Sequence, residues 1–264
     1  MFFASTLPLV FAHRGGCDLG PENTIAAFDL GLAAGADGLE CDVHLSSDGV
    51  PVVCHDDLLD RTTDTTGPLS ALTAAELAGV DAGCRFRNLA GETPFARQGV
   101  GIPTLREVIQ RYGGTRIIVE MKEDSRRMGQ AVADVVRAAG AADRVCAAGY
   151  GLRALASVRA ALPELATSAC HPEVRLALYR SWARWPVRGV PYGGYQVPEH
   201  AGWLRVVSRR FVRQAHAGGL KVQVWTVDQD SDMRRLLTWG VDGLISNRPG
   251  TAVAVRDDFV ANRA

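Results

Sequence analysis

Four short apolar runs in this sequence end in polar residues, and this repeated pattern limits the possible folds more than any other feature. The polar ends are His13-Arg14, Glu40-Cys41-Asp42, His55-Asp56 and Glu120-Met121-Lys122. In a parallel α/β barrel the carboxyl ends of all strands meet at one rim, where such folds build their active sites. We therefore expect these residues, which are far apart in sequence, to lie together at one mouth.

Predicted strands and helices alternate along most of the chain, which is typical of a parallel sheet. The predicted strands lie at 7–12, 50–54, 116–121, 144–148, 165–169, 221–227 and 243–246, and one more strand, after the first, ends at about 45. An irregular section ends at 195–197. About eight strand–helix units can be counted, so a closed TIM (β/α)8 barrel is favoured over an open sheet.

The alternation stops at about 57–101, where turn-rich sequence contains one predicted short helix at 73–78. A structureless loop of that length is rare in a compact domain. We therefore interpret this stretch as a small inserted subdomain after the second strand of a single domain, 1–264.

Three acidic residues at the predicted rim are candidate metal ligands. Strand side chains alternate between faces, so Glu40 and Asp42 point to the same side. Two carboxylates so placed repel each other unless a cation or a shared proton lies between them. With Glu120 they offer only oxygen ligands, which favours Mg²⁺ or Ca²⁺ over zinc. The alternative is that these are three unrelated exposed charges at strand ends.

Two histidines at strand ends are candidate catalytic residues. An imidazole titrates near neutrality, so one of His13 and His55 could take a proton while the other gives one. Asp56 could orient His55 or could be an ordinary loop carboxylate. Arg14 and Lys122 could supply the positive charge that an anionic substrate needs, or could pair with the carboxylates instead.

The remaining aromatic and histidine candidates carry weaker signals. Trp225 ends a predicted strand, where it could form a wall for the substrate or pack in the core. His44 shares the face of the two acids on its strand but lies further along, so it could support the site from behind. We expect His171, His200 and His216 to occupy surface or helix positions.

The composition is that of an ordinary soluble globular protein, with 47% hydrophobic and 22% charged residues. The 29 basic and 29 acidic residues cancel, so a nucleic acid partner is not expected. None of the six cysteines forms a C-x-x-C pair, which favours buried reduced thiols in a cytoplasmic protein.

The sequence contains no signal for membrane insertion or nucleotide binding. No apolar run approaches the ~20 residues of a membrane helix, and the apolar start lacks the basic region and cleavage site of a signal peptide. A soluble protein is expected, and peripheral contact with lipid stays possible. A P-loop, a dinucleotide fingerprint and a Gly-x-Ser-x-Gly elbow are all missing from the sequence.

The sequence resembles the glycerophosphodiester phosphodiesterase family, whose fold is a TIM barrel with a small insertion. The matching segments follow the family's order along nearly the whole chain: His13-Arg14-Gly15, Pro21-Glu22-Asn23-Thr24, Glu40-x-Asp42, Asp48-Gly49, His55-Asp56, Arg61-Thr62-Thr63, Asp81-Ala82-Gly83, Ile102-Pro103-Thr104-Leu105, Glu120-x-Lys122, Trp225-Thr226-Val227 and Gly240-Val241-Asp242-Gly243.

The resemblance implies a role for each rim residue. His13 and His55 would be the acid–base pair, Glu40, Asp42 and Glu120 would hold one divalent cation, Arg14 and Lys122 would meet the phosphate, and the insertion would help to cover the glycerol end. Three positions depart from the family: Ser46-Ser47 replaces Thr-Lys, Asp228 replaces Asn and Asn247 replaces Asp. We expect these departures not to touch the histidines or the metal ligands, and to bear on substrate preference.

The predicted function is therefore that of a cytoplasmic, metal-dependent phosphodiesterase that hydrolyses small glycerophosphodiesters to sn-glycerol 3-phosphate and an alcohol. Two alternatives stay open: a lysophospholipase D-type activity on lysolipids, and a catalytically idle module that binds phosphate or metal. The sequence does not distinguish which histidine is the acid, whether water or the substrate's own 2-hydroxyl attacks, or the oligomeric state.

Overall fold

Eight parallel strands form the wall of a barrel in this computed structural model, which describes residues 2–262. The strands of the chain are β1 Leu9–Ala12, β2 Gly38–Leu45, β3 Pro51–Val53, β4 Arg116–Met121, β5 Val145–Gly149, β6 Ala166–Thr167, β7 Gly194–Pro198, β8 His200–Ala201, β9 Leu204–Arg205, β10 Lys221–Trp225 and β11 Gly243–Ser246. The helices are α1 Ile25–Ala33, α2 Ala74–Leu77, α3 Leu105–Arg111, α4 Arg126–Ala138, α5 Leu152–Ala161, α6 His171–Trp182, α7 Arg209–Ala217, α8 Asp230–Trp239 and α9 Pro249–Ala261.

The order of the strands around the barrel is β6-β5-β4-β2-β1-β11-β10-β7. A parallel bridge between Ser168 and Gly194 joins the two ends of this order and nearly closes the sheet. Helices connect most of the neighbouring strands, as parallel pairing requires. The predicted TIM barrel is confirmed.

The register of the strands sets the carboxyl ends at a common level. Asp42 of β2 lies opposite Glu120 of β4, and Ala12, which immediately precedes His13, lies opposite Leu39. The period-two alternation along β4 puts Ile118 on the same side as Glu120. Ile118 belongs to one buried cluster with Phe11, Cys146 and Ile245, so the polar rim rests on an apolar floor.

The third apolar run does not form a barrel strand, and this part of the prediction was wrong. β3 pairs with β2 in the antiparallel direction, with Val43 opposite Val53 and Leu45 opposite Pro51. The two strands are joined by a tight turn in which Gly49 has φ +79°, and so short a loop permits only antiparallel pairing. The chain therefore folds back along β2, and the amide of Cys54 donates to the carbonyl of Asp42 at 3.0 Å. His55 reaches the rim by this return.

The stretch 57–101 has a small apolar core of its own. Leu59, Leu69, Leu77 and Val80 form a buried cluster together with Val52 of β3. The predicted short helix is present as α2, and Thr73 and Glu76 form a capping box at its start. The division of the chain into one domain with this insertion stays a prediction.

The β8–β9 hairpin was not predicted. The other elements follow the predicted order, and two of the predicted segments differ in extent or type. Residues 195–197, predicted as irregular, belong to β7, a full strand of the barrel whose residues pair with β10. The predicted strand at 165–169 is reduced to two residues in β6. Both differences lie next to the bridge that joins the ends of the sheet.

The six cysteines form no disulfide in the described part of the chain, and Cys41, Cys54, Cys146 and Cys170 are buried, as expected of apolar thiols. Among residues 2–262, no helix combines the length and the apolar character that crossing a bilayer demands. The cytoplasmic location stays a prediction.

Candidate active site

All eight residues that the sequence predicts for the site line one cleft at the carboxyl ends of the strands. The cleft has a volume of about 410 Å³, and its predicted lining residues are His13, Arg14, Glu40, Asp42, His55, Glu120, Lys122 and Trp225. The structure thus brings together five segments that are distant in sequence, in the place where TIM barrels build their active sites.

Three carboxylates crowd at the base of the cleft. One carboxylate oxygen each from Glu40, Asp42 and Glu120 lies within 4.8 Å of the other two. Glu40 and Asp42 are 4% and 1% exposed. Burial, and then the negative charges of Asp42 and Glu120, raise the pKa of Glu40 well above its ordinary value. Burial and the repulsion among the three acids therefore both disfavour the ionised form of Glu40.

Two cationic side chains pair with these acids. The Nζ atom of Lys122 lies 2.9 Å from Asp42 Oδ1 and 3.0 Å from Glu120 Oε1. Arg14 Nε lies 3.1 Å from Asp42 Oδ2, but no described acceptor lies in hydrogen-bonding geometry with this N–H, so the contact is an ion pair only. Burial would raise the pKa of Asp42, but Lys122 and Arg14 lower it overall.

Asn23 also holds Asp42, a role that the sequence analysis missed. Its Nδ2 donates to Asp42 Oδ2 at 2.9 Å, and its Oδ1 accepts from the amide of Asp42 at 3.2 Å. Asn23 has φ +60°, a conformation that asparagine tolerates better than most residues. Thr24, and not Asn23, caps helix α1. The side-chain amide of Asn23 is therefore available to bind Asp42.

His13 is oriented by two residues from neighbouring strand ends. Its Nδ1 lies 2.7 Å from Asn247 Oδ1. Asp228 accepts hydrogen bonds from both the backbone N and the Nδ2 of Asn247, each at 2.8 Å, and this fixes the amide with its oxygen towards the histidine. His13 Nδ1 therefore carries the hydrogen, and Nε2, which lies 3.9 Å from Glu40 Oε2, is the free ring nitrogen.

The expectation that the departures from the family pattern leave the histidines untouched was wrong. Asn247 contacts His13 directly, and Asp228 positions Asn247. The strands β1, β11 and β10 are neighbours in the barrel, so the residues that follow them meet at the rim. Burial lowers the pKa of His13, and the hydrogen bond with Asn247 opposes this effect in part.

A chain of charged groups connects His55 with Arg14. His55 Nδ1 lies 2.6 Å from Asp56 Oδ1, and Arg61 Nε donates to Asp56 Oδ2 at 2.5 Å. Both terminal nitrogens of Arg61 donate to Glu22 at 2.8 Å. Glu22 also accepts from Arg14 Nη1 at 2.9 Å. Asp56 is thus a partner of the histidine, one of the two alternatives that the sequence left open.

Arg61 is the contribution of the stretch 57–101 to this network. Within the described part of the chain, the cleft itself is lined by residues outside that stretch. Covering of the glycerol end by the insertion therefore stays a prediction. Glu22 and Arg61 belong to two separate motifs of the sequence, and nothing in their spacing indicates that the two side chains meet.

The other candidates lie close to their expected places. Trp225 lines the cleft and also packs against the buried floor. His44 Nε2 lies 3.0 Å from the carbonyl oxygen of His55, so it supports that segment from behind. His171 begins α6, where it stacks on Tyr150 at the cleft. His216 lies on α7 and pairs with Asp242, and His200 is exposed in β8.

These features define a TIM-barrel protein with an acidic cleft that contains two histidines at the carboxyl ends of its strands. Residues 13–251 match the model of the glycerophosphoryl diester phosphodiesterase family. The chain belongs to this family, so the predicted family and the predicted enzyme class, a phosphoric diester hydrolase, are confirmed.

Relatives match the chain over almost its full length. A glycerophosphodiester phosphodiesterase of Caldanaerobacter subterraneus subsp. tengcongensis is 32% identical over 93% of this chain and 96% of its own length. One from Bacillus altitudinis is 30% identical over 95% of this chain and 98% of its own length.

Solved structures show the same fold. An Oleispira antarctica phosphodiesterase in complex with the product sn-glycerol-3-phosphate is 29% identical, with a TM-score of 0.79 over 97% of this chain and 100% of that one. A glycerophosphodiester phosphodiesterase from Agrobacterium tumefaciens is 26% identical, with a TM-score of 0.76 over 94% of this chain and 100% of that one.

The pKa of Asp56 is lowered to about 2. The largest cause is the hydrogen bond from Arg61, and the hydrogen bond with His55 also contributes. Ionised Asp56 therefore stabilises the fold above its unfolded pKa of about 3.9, and this contribution is lost as the pH falls towards 2. We expect Arg61→Ala to raise the pKa of Asp56 towards the unfolded value, measured by carboxyl carbon NMR across a pH titration.

Arg111→Ala is the control for loss of an arginine, because Arg111 donates through Nε and Nη2 to a different carboxylate, that of Asp29. It should leave the titration of Asp56 unchanged. An Asp56 pKa that stays near 2 in Arg61→Ala would show that Arg61 does not hold this carboxylate.

Proposed function

We propose that this protein hydrolyses glycerophosphodiesters to sn-glycerol 3-phosphate and an alcohol, with a divalent cation held by three carboxylates and with two histidines as acid and base. The observation that carries the proposal is that Glu40, Asp42, Glu120, His13 and His55 line one cleft. The names of the relatives and the product bound to the Oleispira antarctica enzyme support the same substrate class.

The carboxylate cluster fits a hard divalent cation. Its three donors are all oxygens, which suit Mg²⁺ or Ca²⁺. The pKa of Glu40 is raised because burial and the neighbouring acids outweigh its contact with Arg14, whose backbone N–H donates to Glu40 Oε2 at 2.9 Å. When ionised, the three acids together with Arg14 and Lys122 leave one negative charge; a divalent cation would turn this into one positive charge, which matches a singly charged phosphodiester. When bound, such a cation would act as a Lewis acid on the phosphoryl group.

Arg14 and Lys122 are the groups that we assign to the phosphate. Both line the cleft, and their ion pairs with Asp42 hold them at its wall. Charged N–H donors at this place can bind the non-bridging oxygens and stabilise charge that builds up on them in the transition state.

The hydrogen bonds of the two histidines suggest their roles. Asn247 holds Nδ1 of His13, and burial lowers the pKa of this ring, so His13 is neutral at pH 7 and its Nε2 can take a proton. We assign it as the general base that activates the nucleophile, which is either water or the neighbouring hydroxyl of the glycerol. His55, held at Nδ1 by Asp56, then gives a proton from Nε2 to the leaving alkoxide.

The direct test is release of glycerol 3-phosphate from glycerophosphocholine and glycerophosphoethanolamine, with and without a chelator. We expect turnover that a chelator abolishes and that added Mg²⁺ or Ca²⁺ restores. His13→Ala and His55→Ala should each reduce kcat/KM by ~10²-fold or more, because each removes a positioned proton-transfer group.

His216→Ala is the control for loss of a histidine, since His216 lies on α7 and pairs with Asp242 away from the cleft. It should retain activity close to that of the wild type. Near-normal turnover by His13→Ala would remove this residue from the mechanism, and turnover that resists chelation would contradict the metal.

The role of His13 as a base can be tested through Asn247. The hydrogen bond with Asn247 raises the pKa of His13 against the effect of burial, so Asn247→Ala should lower that pKa further. Because the neutral ring is the active form, kcat/KM falls as the pH drops through this pKa. The acidic limb of the kcat/KM profile should therefore move to lower pH in Asn247→Ala, and it should stay in place in Asn88→Ala, a change in an exposed loop. An unmoved or raised limb in Asn247→Ala would argue against His13 as the base.

One observation bears on the lysolipid alternative: the side of the cleft that faces α6 and the β8–β9 hairpin is lined by Leu178, Val197, Leu204 and Val206. Such a wall could accept an acyl chain. Rates on glycerophosphocholine and on lysophosphatidylcholine, measured side by side, distinguish the two substrates, and the lysolipid reaction would release lysophosphatidic acid instead of glycerol 3-phosphate. A chain with neither activity would be the idle binding module.

A further inference from the structure

Several large aromatic side chains are exposed beside the mouth of the cleft. Trp203 is 95% exposed at the turn of the β8–β9 hairpin, between Ala201 and Leu204, which line the cleft. Tyr179 lines the cleft from α6 and is 52% exposed. Trp182, 50% exposed, packs on Tyr179 with ring centroids 5.3 Å apart. A grouping of this kind is unusual on a surface that meets only water.

The same part of the chain has a strong excess of positive charge, although the whole protein is neutral. Between residues 174 and 227 the only acid is Glu199, whereas the basic residues are Arg175, Arg180, Arg184, Arg188, Arg205, Arg209, Arg210, Arg213 and Lys221. Glu199 is neutralised by Arg235, with contacts of 2.6 and 2.9 Å. Between residues 174 and 227 basic residues therefore outnumber acidic ones, although Lys221 pairs with Asp242 at 2.8 Å.

Two of these arginines stand next to the aromatic residues. Arg175 lines the cleft one turn before Tyr179, and Arg205 follows Leu204 on the hairpin. Both are exposed, and neither forms an ion pair with an acidic group of residues 2–262. We use the name mouth rim for Arg175, Tyr179, Trp182, Trp203 and Arg205.

We propose that the mouth rim docks on a membrane surface that contains anionic lipids. Tryptophan and tyrosine favour the boundary between lipid and water, because one part of the ring is apolar and the other polar. Exposed arginines are attracted to anionic head groups. A soluble polyanion would satisfy the arginines but would leave Trp203 in water, so a lipid surface matches both features. Docking in this way places the cleft against the membrane.

The test is co-sedimentation of the full chain with vesicles of phosphatidylcholine alone or mixed with phosphatidylglycerol. We expect binding to the mixed vesicles that weakens as salt is added, because salt screens the charges. Trp203→Ala and Arg205→Glu should each weaken this binding roughly tenfold, through loss of apolar burial and of charge attraction respectively.

Two exposed residues elsewhere provide matched controls. Leu89→Ala removes an exposed apolar side chain of the stretch 57–101, and Arg106→Glu reverses an exposed charge on α3. Both should bind the mixed vesicles like the wild type. Circular dichroism should show that all four variants are folded, since each changed side chain is exposed.

No binding to the mixed vesicles would overturn the proposal, as would binding that Trp203→Ala and Arg205→Glu leave unchanged. Binding to heparin without binding to vesicles would also overturn it, in favour of a soluble polyanion. Turnover of glycerophosphocholine without vesicles should be normal in Trp203→Ala. Absence of that turnover in the wild type would count against the proposed function and not against docking.

Discussion

The repulsion among three carboxylates in a largely buried place is the constraint on which the rest of the rim depends. Glu40, Asp42 and Glu120 approach within 4.8 Å of one another, and burial raises the pKa of Glu40. The fold opposes this repulsion with Lys122 and Arg14, which pair with Asp42. Because two cations face three acids, the site retains a deficit of positive charge, and a divalent cation is the group that corrects it.

Each of the two histidines is hydrogen bonded through Nδ1, but the partner differs between them. His13 is held by the neutral amide of Asn247 and His55 by the carboxylate of Asp56. In both rings Nε2 is left as the nitrogen that can exchange a proton. Burial lowers the pKa of His13, which favours a base, and the contact with Asp56 orients the ring of His55 for the acid role that we assign to it. The two departures from the family pattern, Asp228 in place of Asn and Asn247 in place of Asp, therefore affect the hydrogen bonding and the pKa of His13.

Much of the rim could be predicted from local periodicity. The alternation of faces along a strand put Glu40 and Asp42 on one side, and the rule that parallel strands share a carboxyl edge brought Glu120 to them. The direction of β3 was missed because a short apolar run has no direction of its own, although the turn at Gly49 allows only a hairpin. The contacts of Asn247 with His13 and of Arg61 with Glu22 could not be predicted, because they join loops whose spacing is set by the barrel.

The binding of a cation to the carboxylate cluster can be measured without reference to turnover, by titration calorimetry with Mg²⁺ or Ca²⁺. We expect one cation per chain, with an affinity that weakens as the pH falls, because protons compete with the cation for a ligand such as Glu40, whose pKa is raised. Asp42→Asn should abolish binding. Asp48→Asn, a change in the exposed turn between β2 and β3, should leave binding unchanged. Absence of binding by the wild type, or binding that survives Asp42→Asn, would contradict a metal site at Glu40, Asp42 and Glu120.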